Sequence, residues 1–234
     1  MKTLLLCLLV THVSCGFTAL MTGLMPMLWP KGSPVHRRAG RIYVYCIMVV
    51  VITALLLCVL QPFKLLRLFL VGIAVLNFYL CWTGWRTTRR KRSSPERVDW
   101  QLTYLTLTIS VAMLAMGLYL LLTQPSVFAI LFTIFGFLTF KNAWYDVGLF
   151  RQLPEKKHWF YHHITRMSGS YIGTFTAFLV NNLNRMLPKG SPAWVDLLGW
   201  LAPTLIGSLL IAYTVRSYKQ KFKRELPAPA PIVN

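Results

Sequence analysis

Four side chains that could bind a metal ion or a cofactor lie close together in the segment HWFYHHITR, which begins at His158. His162 follows His158 by four residues and Arg166 follows His162 by four, so on a helix these three share one face. Histidines four residues apart on a helix have the spacing of metal ligands. His163 adds another imidazole beside this face. The segment therefore predicts a metal or haem site.

The two remaining histidines lie on other apolar runs. His12 opens the pattern H-x3-G-x2-A-L-x2-G, in which Gly16, Ala19 and Gly23 follow it on one helix face. Such a face lets another helix, or a flat ligand, approach the backbone closely. His12 is therefore either a ligand or the donor of one hydrogen bond in a packing seam. His36 opens HRRAGR at the head of the second run, where it is either a ligand or part of a solvated basic flank.

Asp146 is the only acidic residue inside an apolar run, and Arg166 is expected at a similar depth. Charged groups in hydrocarbon cost about 2.5–3.5 kcal/mol on insertion scales, so each requires a partner. An ion pair between Arg166 and Asp146 is one explanation, with Lys141 as a competing cation. A zinc site, with three histidines, one open position and a nearby carboxylate, is the other. Its residues would be His36, His158 and His162, with Asp146 as the carboxylate.

The elements that position these residues are expected to be membrane helices. The chain has 234 residues, of which 56% are hydrophobic and 13% charged, whereas a soluble domain carries about 25% charged residues. Seven apolar runs reach the roughly 20 residues needed to cross a bilayer. They predict an all-α, polytopic membrane helix bundle with seven transmembrane helices, forming a single domain over residues 1–220. The predicted spans are about 3–29, 41–62, 64–84, 101–123, 125–149, 158–184 and 197–217.

The charge distribution predicts the orientation of these spans. The net charge is +19, and eighteen of the 25 Lys and Arg fall on one side of the predicted bundle. Because cytoplasmic loops are enriched in Lys and Arg, the N-terminus is expected outside and the C-terminus inside, with a basic, Pro-rich cytoplasmic tail at 221–234. The predicted location is the inner (cytoplasmic) membrane, and the predicted partners are the lipid bilayer and its anionic cytoplasmic leaflet. Nucleic acid is not an expected partner, because the basic residues flank apolar runs.

Three further features bear on the class of protein. The five cysteines all lie in apolar runs without a CxxC pair, which favours small buried side chains over disulfides. The first run has the basic start and leucine-rich core of a signal peptide, but its apolar character continues to Trp29, which favours a retained helix. The seventh run contains no lysine for a retinal Schiff base.

The motifs THVSCGFTAL, KGSPVHRRAGRIYVY and HHITRMSGSYIGTFTAFLVNN together resemble a bacterial family of multipass membrane proteins of unknown function. That family's pattern is H-x3-G-x2-A-L, then H-R-R-x-G-R-x-Y, then a late helix headed by histidine. The resemblance covers somewhat under half of the chain. It implies that His12, His36 and one of His162 and His163 act together. Because HHITR departs from the family's H-R-x-W-M form, it leaves open which of the last two is the matching position.

Three functions fit these residues. The first is a b-type haem protein for electron transfer, distantly like b-type membrane cytochromes, with a quinone among the candidate partners. Its iron ligands would be His36 or His12 with His162 or His163, against the seams Gly16/Gly23 and Gly169/Gly173. Arg37, Arg38, Arg41 or Arg166 would meet the haem propionates. The second is the zinc-dependent intramembrane enzyme acting on a lipid-like substrate. The third is a small transporter or channel with structural or proton-responsive histidines.

Overall fold

The computed structural model describes residues 1–91, 94–152, 157–186 and 192–224, which form seven α-helices and no strand. The predicted all-α class is confirmed over these residues. The helices are α1 (Lys2–Leu28), α2 (Pro34–Leu60), α3 (Leu65–Arg89), α4 (Arg97–Thr123), α5 (Val127–Phe150), α6 (His158–Met186) and α7 (Ala193–Arg224).

Several helices extend beyond the predicted apolar spans into charged sequence. α2 begins at Pro34 rather than near residue 41, because Ser33 caps it by accepting a hydrogen bond from the His36 backbone N–H and proline suits the first helical position. α7 continues to Arg224, so the tail predicted from residue 221 begins inside a helix. Hydropathy marks the lipid-facing length of a helix, whereas its end is set by capping. Residues 225–234 and most of the predicted break at 188–192 lie outside the described residues.

Six of the helices, α1 to α5 and α7, are long and apolar enough to cross a membrane. Many large apolar side chains are exposed along them, as a lipid-facing surface requires. This supports a multipass membrane protein. Among the described helices α6 is the one that does not reach the same apolarity, and it is also the helix that carries His162 and Arg166.

α6 packs against α3, α7 and α1, while α1 pairs with α2 and α4 with α5. Small residues allow these close contacts. A Cβ placed on Gly84 of α3 would lie 2.8 Å from the Arg166 Cβ and 3.1 Å from the Met167 backbone nitrogen of α6. A Cβ on Gly117 of α4 would lie 2.7 Å from the backbone nitrogen of Thr133 on α5. The helix axes therefore approach where glycine has no side chain.

The interior differs between the two ends of α3. Near its start, Phe69 is fully buried and its ring lies 5.0 to 5.8 Å from those of Phe132, Phe135 and Trp200. Towards its end, the buried side chains include the polar Tyr79, which contacts Asp146, together with the apolar Leu80 and Cys81. The first half is packed by apolar side chains alone, and the second half holds the candidate site.

The end of the bundle that holds the connections α1–α2, α3–α4 and α5–α6 and the end of α7 is called the basic end below. Contacts between these segments bring them together: Lys91 Nζ lies 4.4 Å from the Trp159 ring centre, and Lys157 Nζ lies 3.6 Å from that of Phe222. This is the side on which the sequence places eighteen of its basic residues.

Candidate functional site

Two histidines from different helices meet at the basic end. The ring centres of His36 on α2 and His163 on α6 lie 6.2 Å apart, with a tilt of 59° between the ring planes. Both side chains are partly buried. This arrangement, called the histidine pair below, brings together two of the predicted cofactor ligands.

Each ring of the histidine pair is fixed through its Nδ1 atom. His36 Nδ1 donates to the backbone oxygen of Pro26 on α1 at 3.1 Å, and His163 Nδ1 donates to that of Gly84 on α3 at 2.8 Å. Because a carbonyl only accepts, the proton of each neutral ring must be on Nδ1. Each Nε2 then carries a free lone pair, which is the state of a histidine ready to bind a metal.

The sequence explains why the Pro26 carbonyl is available. In an α-helix this oxygen would accept from the residue four positions later, but that residue is Pro30, which has no N–H. The oxygen instead accepts from His36 and, at 2.8 Å, from Lys31 Nζ. Lys31 therefore places a positive charge beside the histidine pair, and partial burial lowers the pKa of this ammonium.

A second cluster lies beside the histidine pair, where α5 and α3 meet α6. Asp146 of α5 is fully buried and accepts from Arg166 Nη2 at 2.7 Å, so the predicted ion pair is confirmed. Its second oxygen accepts a short hydrogen bond from the hydroxyl of Tyr79. Arg166 also donates to the side-chain oxygen of Asn142 at 2.7 Å and to its backbone oxygen at 2.8 Å. With His162 these residues form the Asp146 network.

The charges in the Asp146 network are almost completely withdrawn from solvent, since Arg166 is 2% exposed. Buried charges require full hydrogen bonding, and this pair has it from Tyr79 of α3, Asn142 of α5 and His162 of α6. Tyr79 is itself supported by the hydroxyl of Thr103 on α4 at 3.1 Å. The competing cation, Lys141, is exposed. Arg166 is therefore occupied by Asp146 and Asn142 rather than directed at the histidine pair.

His162 faces this network, whereas its neighbour His163 faces the histidine pair. The side chains of consecutive helical residues point about 100° apart around the helix axis. Both imidazoles therefore point into the bundle, but they contact different clusters. His162 Nε2 lies 3.0 Å from Asp146 Oδ1 and 3.2 Å from Arg166 Nε. It satisfies one of them at a time, as a donor to Asp146 or as an acceptor from Arg166. In both cases Nδ1, which is buried, has no partner among the described residues.

A polar stripe continues along α6 below the Asp146 network. It consists of His162, Arg166, Ser170 and Thr174, each four residues after the last. The Ser170 hydroxyl donates to Asn77 Oδ1 at 2.6 Å, and Tyr43 OH lies 2.7 Å from the same hydroxyl. At 1.5 Å per residue the stripe extends about 18 Å through the bundle. Sequence reasoning did not identify Asn77, Tyr43, Asn142 or Tyr79, although all four are polar residues within apolar runs.

His12 lies in a packing seam between α1 and α2. Its Nδ1 contacts the backbone oxygen of Val50 at 3.1 Å and the Thr53 hydroxyl at 3.0 Å. Further along the seam, a Cβ on Gly23 would lie 2.6 Å from the Tyr171 ring and 2.7 Å from the Tyr43 ring. The Gly23 part of the seam is thus filled by aromatic side chains, where a haem face had been expected. Of the two interpretations of His12, the interhelical hydrogen bond is the one observed.

The second predicted seam is also occupied by protein. A Cβ on Gly169 would lie 3.3 Å from Leu80, and one on Gly173 would lie 3.5 Å from the Asn77 side-chain oxygen. Both glycines therefore serve the contact between α6 and α3.

Of the four proposed zinc-site residues, His36 lies apart from the other three, among which the His158 and His162 ring centres are 5.6 Å apart. His36 is paired with His163, while His162 and Asp146 bind each other and His158 Nε2 lies 3.0 Å from the Tyr145 hydroxyl. Within residues 1–91, 94–152, 157–186 and 192–224, no three His, Cys, Asp or Glu side chains form a group that could hold a metal ion. The arrangement offers two imidazoles for one ligand and, separately, a buried ion pair.

Comparisons of this chain with protein-family models, with curated proteins and with solved structures find no match, so its function has to be argued from these two clusters.

Proposed function

We propose that this protein is an integral membrane haem-binding protein of the b type, with His36 and His163 as the axial ligands. The observation that carries the proposal is the histidine pair itself. Two imidazoles from different helices lie with their ring centres 6.2 Å apart, and each Nδ1 is held by a backbone carbonyl. Haem held by two histidines supplies one-electron redox chemistry, which suits transfer between a quinol or soluble donor and an acceptor.

The separation of the rings fits this assignment. Two metal–nitrogen bonds of about 2 Å and about 1 Å from nitrogen to ring centre on each side predict centroids about 6 Å apart, compared with the observed 6.2 Å. An angle of 59° between the ring planes is too large for stacked rings. The two axial ligands of a haem can have any angle between their ring planes, because each ring can rotate about its metal–nitrogen bond. Lys31 replaces Arg166 as the cation suited to a propionate, because Arg166 is engaged by Asp146.

Absorption spectroscopy tests the proposal. The purified parent, expressed with a haem supply, is expected to show a Soret band that shifts on reduction with dithionite. His36→Ala and His163→Ala each remove one ligand, so each should lose the six-coordinate spectrum, and the double variant should lose the Soret band. His12→Ala is the matched control and should keep the parent spectrum, because His12 bonds to α2.

Two results would contradict the haem assignment. One is a parent protein that stays colourless and binds no added haemin. The other is a His36→Ala/His163→Ala variant with the parent's spectrum and haem content.

We also propose that α6 is a seventh span, with the basic end in the cytoplasm and the N-terminus outside, in the inner membrane. The support is the charge asymmetry and the inward polar stripe of α6, together with the exposed Phe175 and Phe178 on its outer surface. A periplasmic phosphatase fused after Gln124 should be active, and one fused after Arg151 should be inactive. The reverse activities would place the basic end outside.

A second candidate function, a small proton-coupled transporter or channel, is favoured by the polar stripe on α6. A column of hydroxyl, amide and charged groups inside a membrane bundle is a common route for protons. Colourless protein that dissipates a pH gradient in liposomes, and loses this activity in Ser170→Ala, would select this function over electron transfer.

A further inference from the structure

A cavity of about 270 Å³ opens at the basic end, between the ends of α3 and α5 and the starts of α4 and α6. Its floor includes Asp146 and His162, so it reaches the Asp146 network, and its walls include the aromatic side chains of Phe150 and Trp159. The cavity is lined by His162, whereas the histidine pair contains its neighbour His163. The haem proposal does not use it.

The walls of the cavity carry more cations than anions. Arg86 and Arg90 lie on one wall, but both are bound to Asp99, and Arg86 Nη2 also binds Glu96 at 2.9 Å. These bonds lower the pKa of the Glu96 carboxyl, with the hydrogen bond from Arg86 as the largest cause. These two arginines are therefore largely neutralised by their own acidic partners.

Two other cations of the cavity have no acidic partner among the described residues. Lys91 lies over the Trp159 ring at 4.4 Å, and Arg151 is exposed at the end of α5. Neither is in an ion pair within the part of the chain that the structure describes. Both cations line the cavity, so both can contact a ligand that enters it from the basic end.

His162 lies with Asp146 at the floor of the cavity. Its side chain is 8% exposed, and its Nδ1 lacks a hydrogen-bond partner among the described residues. When Nε2 accepts from Arg166 Nε, the proton of the neutral ring lies on Nδ1, which is then a donor without an acceptor. When Nε2 instead donates to Asp146 Oδ1, Nδ1 is an unpaired acceptor. Leaving a buried donor unpaired costs about 1–3 kcal/mol, so a ligand that brings an acceptor to Nδ1 would favour the first tautomer.

We propose that this cavity binds the phosphate group of a small phosphate-bearing ligand, with Lys91 and Arg151 supplying the charge and His162 a hydrogen bond at the floor. A phosphate accepts from donors in several directions and is bound by lysine as a point charge, which suits separated cations better than a planar carboxylate does. The volume exceeds that of inorganic phosphate, and the aromatic wall suits an organic substituent. The phosphate could come from free solute or from the headgroup of an anionic lipid, since the cavity lies at the end of the apolar bundle.

Binding is measured with the full-length protein in lipid nanodiscs. One arm adds inorganic phosphate to phosphatidylcholine nanodiscs at constant ionic strength, and the other compares phosphatidic acid with phosphatidylcholine nanodiscs by native mass spectrometry. Saturable binding in the first arm assigns the site to a soluble phosphate, and retained phosphatidic acid in the second assigns it to a lipid headgroup. Either result supports the proposal if the variants behave as follows.

The Lys91→Gln/Arg151→Gln variant should bind at least tenfold more weakly, and His162→Phe should weaken binding without changing the spectrum expected from the histidine pair. Arg216→Gln/Lys221→Gln is the matched control, because both residues are exposed cations at the same end and neither lines the cavity. The control should bind like the parent. Absence of binding in both arms, equal affinity in the cavity variant, or an equal loss in the control would overturn the proposal.

Discussion

The Arg166→Met variant is expected to lose about 3–5 kcal/mol of unfolding free energy, because the substitution leaves the Asp146 carboxylate buried without its cation. Asp146 is fully buried, and Arg166 Nη2 is 2.7 Å from its Oδ1. Asn142 also loses the two hydrogen bonds that Arg166 donates. The measurement is denaturant unfolding in detergent micelles, followed by far-ultraviolet circular dichroism.

A double variant separates the cost of an orphaned charge from that of lost packing. Asp146→Leu/Arg166→Met removes both charges, and Tyr79 keeps Thr103 as a hydrogen-bond partner, so most of the lost stability should return. Arg185→Met is the matched control on the same helix, where the side chain is exposed. It should lie within about 0.5 kcal/mol of the parent. A double variant no more stable than Arg166→Met would show that the ion pair is not what stabilises this region.

The Gly84→Ala variant is expected to be destabilised by about 1–3 kcal/mol, as for other overpacked sites. The added Cβ would lie 2.8 Å from the Arg166 Cβ and 3.1 Å from the Met167 backbone nitrogen, so α3 and α6 must separate. The movement would also displace the Gly84 carbonyl that holds His163. We therefore expect weaker haem retention together with a lower thermal unfolding midpoint.

Gly148→Ala provides the comparison, because a Cβ there has no neighbour within 4 Å. In a helix alanine is more favourable than glycine by about 1 kcal/mol, so this variant should be as stable as the parent or slightly more stable. Equal thermal midpoints for Gly84→Ala and Gly148→Ala would mean that the contact between α3 and α6 is loose enough to admit a methyl group.

The sequence was sufficient to predict the features that depend on the cost of burying charge. Arg166 and Asp146 were each expected to need a partner in hydrocarbon, and they form a pair at 2.7 Å. The seam that begins at His12 was expected from helical spacing of small residues, and it is a contact between α1 and α2. In both cases the energetic penalty is large and local, so residue type and spacing carry enough information.

The partners of the histidines could not be predicted in this way. His162 and His163 are adjacent, and which of them meets His36 depends on the rotation of α6 about its axis, which is set by packing against α3. Tyr79 and Asn142 were missed because a neutral polar side chain can point towards lipid, bond to another helix or bond to its own backbone at similar free-energy cost. The start of α2 was also missed, since the apolar run begins after the Ser33 cap.

The connection from α5 to α6 bears on how the chain enters the bilayer during synthesis. The charge of Arg166 disfavours insertion of α6 into the bilayer on its own. Asp146 lies on the preceding helix, α5, and is therefore synthesised shortly before α6. The two helices are therefore expected to partition into lipid together as a hairpin whose opposite charges cancel. An α6 segment presented to the translocon without α5 should remain largely outside the membrane.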